Sequence, residues 1–192
     1  MDIMSAVNAY IPNNEKSKPP ADLHSTSTKP AQAVPTYIAQ GMDSVNSFSM
    51  AKMLCLVNNL RVSHNLYPLV YHDKLIHLAR EHARFQAANH IVTHNDGAGQ
   101  IGDRLTRLGF QWNILAENVG AGAPDETSIM NAWANSPRHL ANILHPDIRY
   151  LGIGVSNGFW VQDFAGPMDK RYNVPEGQVE VCPATNRVII YT

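Results

Sequence analysis

The spacing of apolar residues predicts three helices in the first half of the folded chain. The first begins at Ser47 or Ser49, either of which can serve as N-cap, and ends at Tyr67-Pro68. The second begins at the N-cap residue Asp73 and runs to about residue 89. A third, shorter helix covers residues 100–108 and stops before a glycine.

The pattern then changes to short strands and helices. Residues 114–119 read as a strand interrupted by one acid, residues 125–133 as a helix, and Ser136-Pro137 begins another short helix. Residues 150–156 and 159–164 are two strands joined by Asn157-Gly158, a strong hairpin signal, and residues 179–191 predict a last hairpin. This order predicts an α+β fold in which helices cover an antiparallel sheet.

Composition separates residues 1–46 from the rest of the chain. Up to residue 45 they hold five of the twelve prolines, with Ser, Thr, Lys and Asn and few large apolar residues. Such a segment cannot bury enough apolar surface to offset its ordering entropy, so we predict a disordered leader. The folded domain is expected at residues 47–168, and residues 169–192 form a C-terminal extension.

Charge and hydropathy exclude several classes of protein. The 192 residues are 44% hydrophobic with a net charge of −1, whereas a nucleic-acid binder shows a basic excess or stripe. No stretch approaches the roughly 20 apolar residues that span a bilayer. The N-terminus shows neither the basic nor the apolar region of a secretory signal. Export by another route, a different mature start and an internal location therefore stay open.

The two cysteines, Cys55 and Cys182, allow two interpretations. In a cytosolic protein they are buried thiols, and in an exported protein they would pair. A disulfide would join the first helix to the C-terminal extension and contribute about 4–5 kcal/mol in the chain-entropy model. Neither cysteine belongs to a C-x-x-C motif, so redox and zinc-ribbon functions have no support.

Several short motifs have a structural explanation and do not require a catalytic or ligand-binding role. Residues 97–102 fit G-x-G-x-x-G but follow a loop rather than a strand, so a turn into a helix is favoured over a nucleotide site. His77 and His82 are five residues apart on a helix and therefore diverge, which argues against a shared metal. Cys55 lies in an apolar helical run, an unfavourable place for a nucleophile.

Three residues are candidates for a functional site. Glu117 lies in an apolar strand, where a carboxylate without partners is costly to bury, so it must be paired or line a cavity. His94 follows the second helix, and His139 lies just inside the Ser136-Pro137 helix. Their separation in sequence does not show that they meet.

The longest informative segments together resemble one family. They include LVNNLR at 56–61, His94, AENVGAG at 116–122, WANSPRHLANIL at 133–144, LGIGV at 151–155 and WVQDF at 160–164. Over residues 48–166 these segments are similar to the CAP superfamily of cysteine-rich secretory proteins, antigen 5 and pathogenesis-related protein 1. The similarity is to its bacterial-type branch, which also occurs in fungi.

The resemblance implies a three-layer α-β-α sandwich with a central cleft. His94, Glu117 and His139 match three members of the family's cleft tetrad, and the fourth, an acid in animal and plant members, is Ser136 here. Family members bind zinc or another divalent cation through the two histidines, so His94 and His139 are the candidate metal ligands. Loss of the second acid weakens tight metal binding and general-base catalysis. Arg138 replaces a family glycine and would place a cation at the cleft mouth.

The resemblance favours a secreted, non-enzymatic binding module with a Cys55–Cys182 disulfide. Its expected partners are a lipid or sterol, a membrane surface or a host, with no nucleic acid, and the protein is expected to be a monomer. The alternative is a metal-dependent, peptidase-like hydrolase in which the His94/Glu117/His139 cleft activates water. A third interpretation is a scaffold whose cleft residues only satisfy one another's hydrogen bonds.

Overall fold

Five helices and five strands make up the part of the chain that the structure, a computed structural model, describes: residues 48–168 in full and residues 5–10 as backbone. In chain order they are β1 (Ser5–Tyr10), α1 (Met50–Ser63), β2 (Val70–Tyr71), α2 (Asp73–Asn89), α3 (Ile101–Arg107), β3 (Trp112–Ala121), α4 (Glu126–Ala134), α5 (Pro137–Ile143), β4 (Tyr150–Ser156) and β5 (Phe159–Pro167). Ser49 caps α1 as predicted, by accepting a hydrogen bond from the Lys52 amide at 3.2 Å.

The strands form one sheet in the order β1-β3-β5-β4-β2. Strand β3 is antiparallel to β1 and β5, β5 is antiparallel to β4, and the short β2 is parallel to β4. The predicted hairpin between β4 and β5 is confirmed, with Asn157 and Gly158 both at positive φ (46° and 78°). In the β3–β5 register Glu117 lies opposite Asp163.

Helices cover both faces of the sheet. Because alternate residues of a strand face opposite sides, β3 divides its side chains between two layers. Leu115 packs in an apolar cluster with residues of α2 and α3, and Val119 packs with residues of α2. Ala116 packs in a larger cluster with residues of α1, α4 and α5. The predicted α-β-α sandwich is confirmed.

Two glycines of β4 allow α2 to lie directly on the sheet. A Cβ at Gly154 would come within 2.1 Å of the Ala79 carbonyl oxygen, and a Cβ at Gly152 within 2.3 Å of the Leu75 carbonyl oxygen. Any side chain there would push the helix away. This close approach brings α2, with His82, against the strands that carry the acidic residues.

A buried arginine ties α1 to the end of α5. Arg61 is 0% exposed, and its Nη1 donates to the carbonyl oxygens of Ile143 (2.6 Å) and His145 (3.0 Å) while Nε donates to that of Tyr67 (2.8 Å). Burial lowers the pKa of Arg61 to about 10, so the guanidinium keeps its charge at neutral pH. These bonds satisfy the carbonyls that a helix leaves free at its C-terminus and hold α5 in place.

Some sequence predictions need correction. The disordered leader stays a prediction, and within it Ser5–Tyr10 pairs with the outer edge of β3, which offers unpaired backbone groups. The N-cap of α2 is His72, whose side chain accepts from the Lys74 amide at 3.2 Å, and Asp73 begins the first turn. The rest of the leader, the C-terminal extension and its hairpin lie outside the described residues.

Of the two predicted disulfide partners, Cys55 lies within the described residues and Cys182 does not. Cys55 lies in α1 and is 4% exposed, whereas Cys182 lies outside the described residues, so their pairing stays a prediction.

Among the described helices, none combines the length and the hydropathy needed to cross a membrane.

Candidate functional site

The centre of the candidate site is the Glu117 carboxylate, which β3 holds 1% exposed on the side of the sheet covered by α2 and α3. Its Oε1 lies 2.7 Å from Nδ1 of His94, and its Oε2 accepts a hydrogen bond of 3.4 Å from Nη2 of Arg104. The requirement that this acid be paired is therefore met by two residues that lie 13 and 23 positions away in sequence.

Helix α2 positions the loop that carries His94. The Oε1 atom of Gln86 accepts from the Thr93 amide at 3.1 Å, and Nε2 of His82 lies 2.6 Å from the Thr93 carbonyl oxygen. Both side chains are 0% exposed. The residue before His94 is thereby fixed to the buried face of α2, which sets the His94 ring against Glu117.

Arg104 connects two acids in the same buried cluster. Its Nη1 donates to Oδ2 of Asp96 at 2.8 Å while Nη2 reaches Glu117, and its side chain is 4% exposed. The Nδ1 atom of His82 lies 3.6 Å from the same Asp96 oxygen. The 93–99 loop, α3 and β3 are thus held together by charge-assisted contacts in which Arg104 is the central cation.

Burial sets the protonation of this cluster. Burial, and next the charge of Arg104, lower the pKa of His82 to about 4, so its ring is neutral and Nε2–H donates to the Thr93 carbonyl. Burial raises the pKa of Glu117 to about 7 against the opposing effect of Arg104. Burial and then the neighbouring Glu117 charge raise the pKa of Asp163 well above its usual range.

Asp163 is the second buried carboxyl. It lies opposite Glu117 on β5 and is 0% exposed. Directly opposed residues of antiparallel strands point to the same face, so the two acids are neighbours. Two carboxylates so close cannot both stay ionised at low cost. Burial raises the pKa of both acids, the charge of Glu117 raises that of Asp163 further, and Arg104 lowers the pKa of each.

His139 belongs to α5, which packs against β3. It is 1% exposed in α5, its Nδ1 lies 2.7 Å from Oγ of Ser136, and its carbonyl oxygen accepts from Nδ2 of Asn118 at 3.3 Å. The Nδ2 atom of Asn142 donates to the Glu117 carbonyl oxygen (3.2 Å) and to Oδ1 of Asn118 (2.9 Å). These amides fasten α5 to the backbone of β3.

The structure therefore joins the predicted site residues in two groups. His94 contacts Glu117 directly, and Ser136 contacts His139. Ser136 is also the N-cap residue of α5, as predicted. Arg138 is exposed in the first turn of α5, and its effect at the cleft mouth stays a prediction.

A divalent metal centre needs three or more converging protein ligands that are free to bind it. Each imidazole is anchored through Nδ1, the kind of support that orients a metal-ligating histidine. However, Glu117 is engaged by Arg104, and residues 48–168 contain no group of three or more His, Cys, Asp or Glu side chains arranged to hold an ion. The described residues do not fit a three-ligand metal centre. A weaker site at His94 and His139 stays a prediction.

Four members of the buried cluster were not predicted from sequence: His82, Asp96, Arg104 and Asp163. One signal was available for Asp163, since it interrupts an apolar strand just as Glu117 does. His82 was considered as a possible metal ligand with His77, whereas it is fully buried in this cluster. Asp96 lies in a loop and Arg104 in a short helix. The sequence pattern does not show how either segment packs against β3.

The fold and the cluster define a class of protein: an α-β-α sandwich with a His/Glu site on one strand of its sheet. A sequence model described as "CAP: Cysteine-rich secretory protein family" matches residues 54–164. This match covers more than half of the chain, and the protein therefore belongs to the CAP family.

Relatives and solved structures agree with this assignment. An uncharacterized protein of Bacillus subtilis, YkwD, is 27% identical over 168 residues, which are 86% of this chain and 65% of the relative. An extracellular SCP-domain protein of Bacillus anthracis is 29% identical with a TM-score of 0.58, over 60% of this chain and 39% of the other. An outer surface protein of Borrelia burgdorferi shares the fold at 24% identity, with a TM-score of 0.54 over 58% of this chain and 86% of the other. The chain thus spans less than two thirds of the first two proteins.

Proposed function

We propose that the protein is an extracellular binding module of the CAP family, and not a hydrolase. The observation that carries this proposal is the state of Glu117. Its carboxylate is 1% exposed, and its two oxygens are engaged by His94 and Arg104. A general base needs a free lone pair within hydrogen-bond reach of a water molecule, and Glu117 offers none to solvent.

The location is proposed by similarity to the Bacillus anthracis protein, which is extracellular. The predicted Cys55–Cys182 disulfide would suit that environment. Both remain proposals for this chain.

The ligand class is a lipid or sterol at a membrane surface, as the family resemblance implies. Two exposed apolar side chains near the end of α1 support it: Val62 is 56% exposed and Tyr67 is 61% exposed. A side chain of this kind gains about 25 cal/mol for each square ångström of apolar area it buries in a lipid ligand. Arg149 lies over the Tyr67 ring at 5.3 Å, a cation–π contact that helps to hold the ring in place.

Vesicle binding tests the proposal. The full chain is centrifuged with neutral phosphatidylcholine vesicles, with and without cholesterol, and the bound fraction is measured. We expect binding that falls at least several-fold in Val62→Ser/Tyr67→Ser and persists in His94→Ala. Gln111→Ser, an exposed polar substitution, is the matched control. Absence of binding to both kinds of vesicle would refute the lipid ligand.

Peptide turnover tests the alternative. Incubation with a casein digest should release no new fragments above the level of the Glu117→Gln variant. Turnover by the wild-type protein that Glu117→Gln abolishes would overturn the non-enzymatic proposal, because it would give Glu117 a chemical role.

A further inference from the structure

A surface pocket of about 380 Å³ lies between α3 and the start of β3. Its lining residues are Gln100, Gly102, Asp103, Thr106, Arg107 and Trp112. This volume falls within the usual range of small-molecule sites. The lining includes neither His94, Glu117 nor His139, so the pocket is separate from the candidate site described above.

Trp112 forms the aromatic wall of this pocket. The ring packs against the apolar cluster that includes Leu105 and Leu115, and its Nε1–H donates to Oγ1 of Thr106 at 3.1 Å. The indole is therefore held in one orientation at the pocket surface. A rigid, half-buried aromatic ring supplies contact area to a ligand at little entropic cost.

The polar part of the lining carries both signs of charge. Asp103 and Arg107 are one helical turn apart on α3 and are exposed. Oδ2 of Asp103 accepts from the Gln100 amide at 3.3 Å, and Nη2 of Arg107 donates to the Ala98 carbonyl oxygen. A carboxylate, a guanidinium and an amide are thus presented together beside the indole, with no net charge among them.

This lining discriminates between classes of ligand. A lipid chain would desolvate Asp103 and Arg107 without replacing their hydrogen bonds, which is unfavourable. A polyanion would gain no net attraction, because Asp103 offsets the charge of Arg107. An uncharged sugar ring matches the lining, because its C–H face can pack on the indole while its hydroxyls donate to the carboxylate and accept from the guanidinium.

We propose that this pocket, the Trp112 pocket, binds an uncharged oligosaccharide. The site lies on the outer side of α3, whereas Arg104 on the inner side of the same helix contacts Glu117. The proposal does not depend on the lipid-binding function, and either can fail alone.

Tryptophan fluorescence offers a direct test on the full chain. The protein has three tryptophans, and Trp133 and Trp160 are only 1% and 3% exposed, so an aqueous quencher reaches Trp112 first. We expect chitotetraose or cellotetraose at millimolar concentration to lower acrylamide quenching at least about twofold, because a bound sugar covers the indole. A sulfated heparin tetrasaccharide is the charged comparison and should give no protection.

Calorimetry extends the test to variants whose fluorescence is altered. Trp112→Ala should abolish measurable tetrasaccharide binding, Trp112→Phe should retain part of it, and Asp103→Asn/Arg107→Gln should weaken it by about tenfold. Ile91→Ala, which removes an exposed apolar side chain elsewhere, should bind as wild type does. Urea unfolding of each variant separates loss of the pocket from loss of the fold.

Three outcomes overturn the proposal. Absence of protection by both neutral sugars, equal affinity in Trp112→Ala and wild type, or tighter binding of the heparin fragment than of the neutral sugars would each exclude an uncharged saccharide site.

Discussion

His94 Nδ1 lies 2.7 Å from Oε1 of Glu117, although the two residues are 23 positions apart and belong to different elements. This contact is one part of a buried cluster in which Arg104 reaches both Glu117 and Asp96. The cluster joins the 93–99 loop, α3 and β3. Its opposite charges lie together, so each offsets part of the free-energy cost of burying the other. Most of its measurable consequences concern stability and protonation.

Replacing Arg104 should strongly destabilise the fold. Arg104→Met leaves Glu117 and Asp96 buried without their cation, a change that typically costs about 3–5 kcal/mol. Because Arg104 lowers the pKa of Glu117, the loss should be greater at pH 8.5 than at pH 5, where Glu117 can take up a proton. Urea unfolding at both pH values measures it.

The matched control for Arg104 is Arg84→Met. Arg84 forms an exposed helical ion pair with Glu81, and such pairs contribute only about 0.3–0.5 kcal/mol. Equal effects of the two substitutions would show that the buried cluster does not depend on its cation.

His82 should make stability fall in mild acid. Its pKa is about 4 in the folded protein against 6.5 for an unburied histidine, so the unfolded chain binds the extra proton between these values. The contribution of the neutral ring is complete above pH 6.5 and is lost as pH falls through 4. His82→Gln keeps a donor for the Thr93 carbonyl, and its free energy of unfolding should lack this decline.

Glu117 acts in the opposite direction. Its pKa is raised from 4.5 to about 7, so its contribution is complete below pH 4.5 and is lost as pH rises through 7. The wild-type profile therefore combines two opposed slopes, and the difference between wild type and His82→Gln isolates the histidine. A difference that does not vary between pH 4 and 6.5 would contradict the assignment of His82.

Any zinc site at His94 and His139 should be weak. Two imidazoles without a free carboxylate make an incomplete set of metal ligands. We expect purified protein to hold far less than one equivalent of zinc after dialysis. Calorimetric titration of wild type beside His94→Ala/His139→Ala measures the affinity. One tightly held zinc that the double variant loses would show that the two histidines meet.

A methyl group at Gly154 should separate α2 from the sheet. The added Cβ would meet the Ala79 backbone at 2.1 Å, and overpacking of this kind costs about 1–3 kcal/mol or more. Ser156→Ala on the same strand is the control, with little change expected. Thermal unfolding of both variants compares them, and equal midpoints would mean that α2 does not lie against β4 as described.

Local pattern was sufficient for much of the fold. Ser49 before an apolar helical run, Ser136-Pro137 and Asn157-Gly158 each specify a backbone conformation through their own chemistry, and the elements they predict are present. The same kind of reasoning identified Glu117, because an acid in an apolar strand has to be paired.

The partners of that acid could not be read from the sequence. Asp96 lies in a loop, the apolar spacing of α3 does not show which strand Arg104 reaches, and Asp163 becomes a neighbour of Glu117 only through the β3–β5 register. Likewise, the alternation of β3 decides that Glu117 faces α2 and α3 while the apolar residues of α5 pack on the other face. The sequence by itself determined the elements and the need to pair a buried charge. Only the tertiary structure decided which residues pair with it, since strand register and layer packing depend on contacts between distant segments.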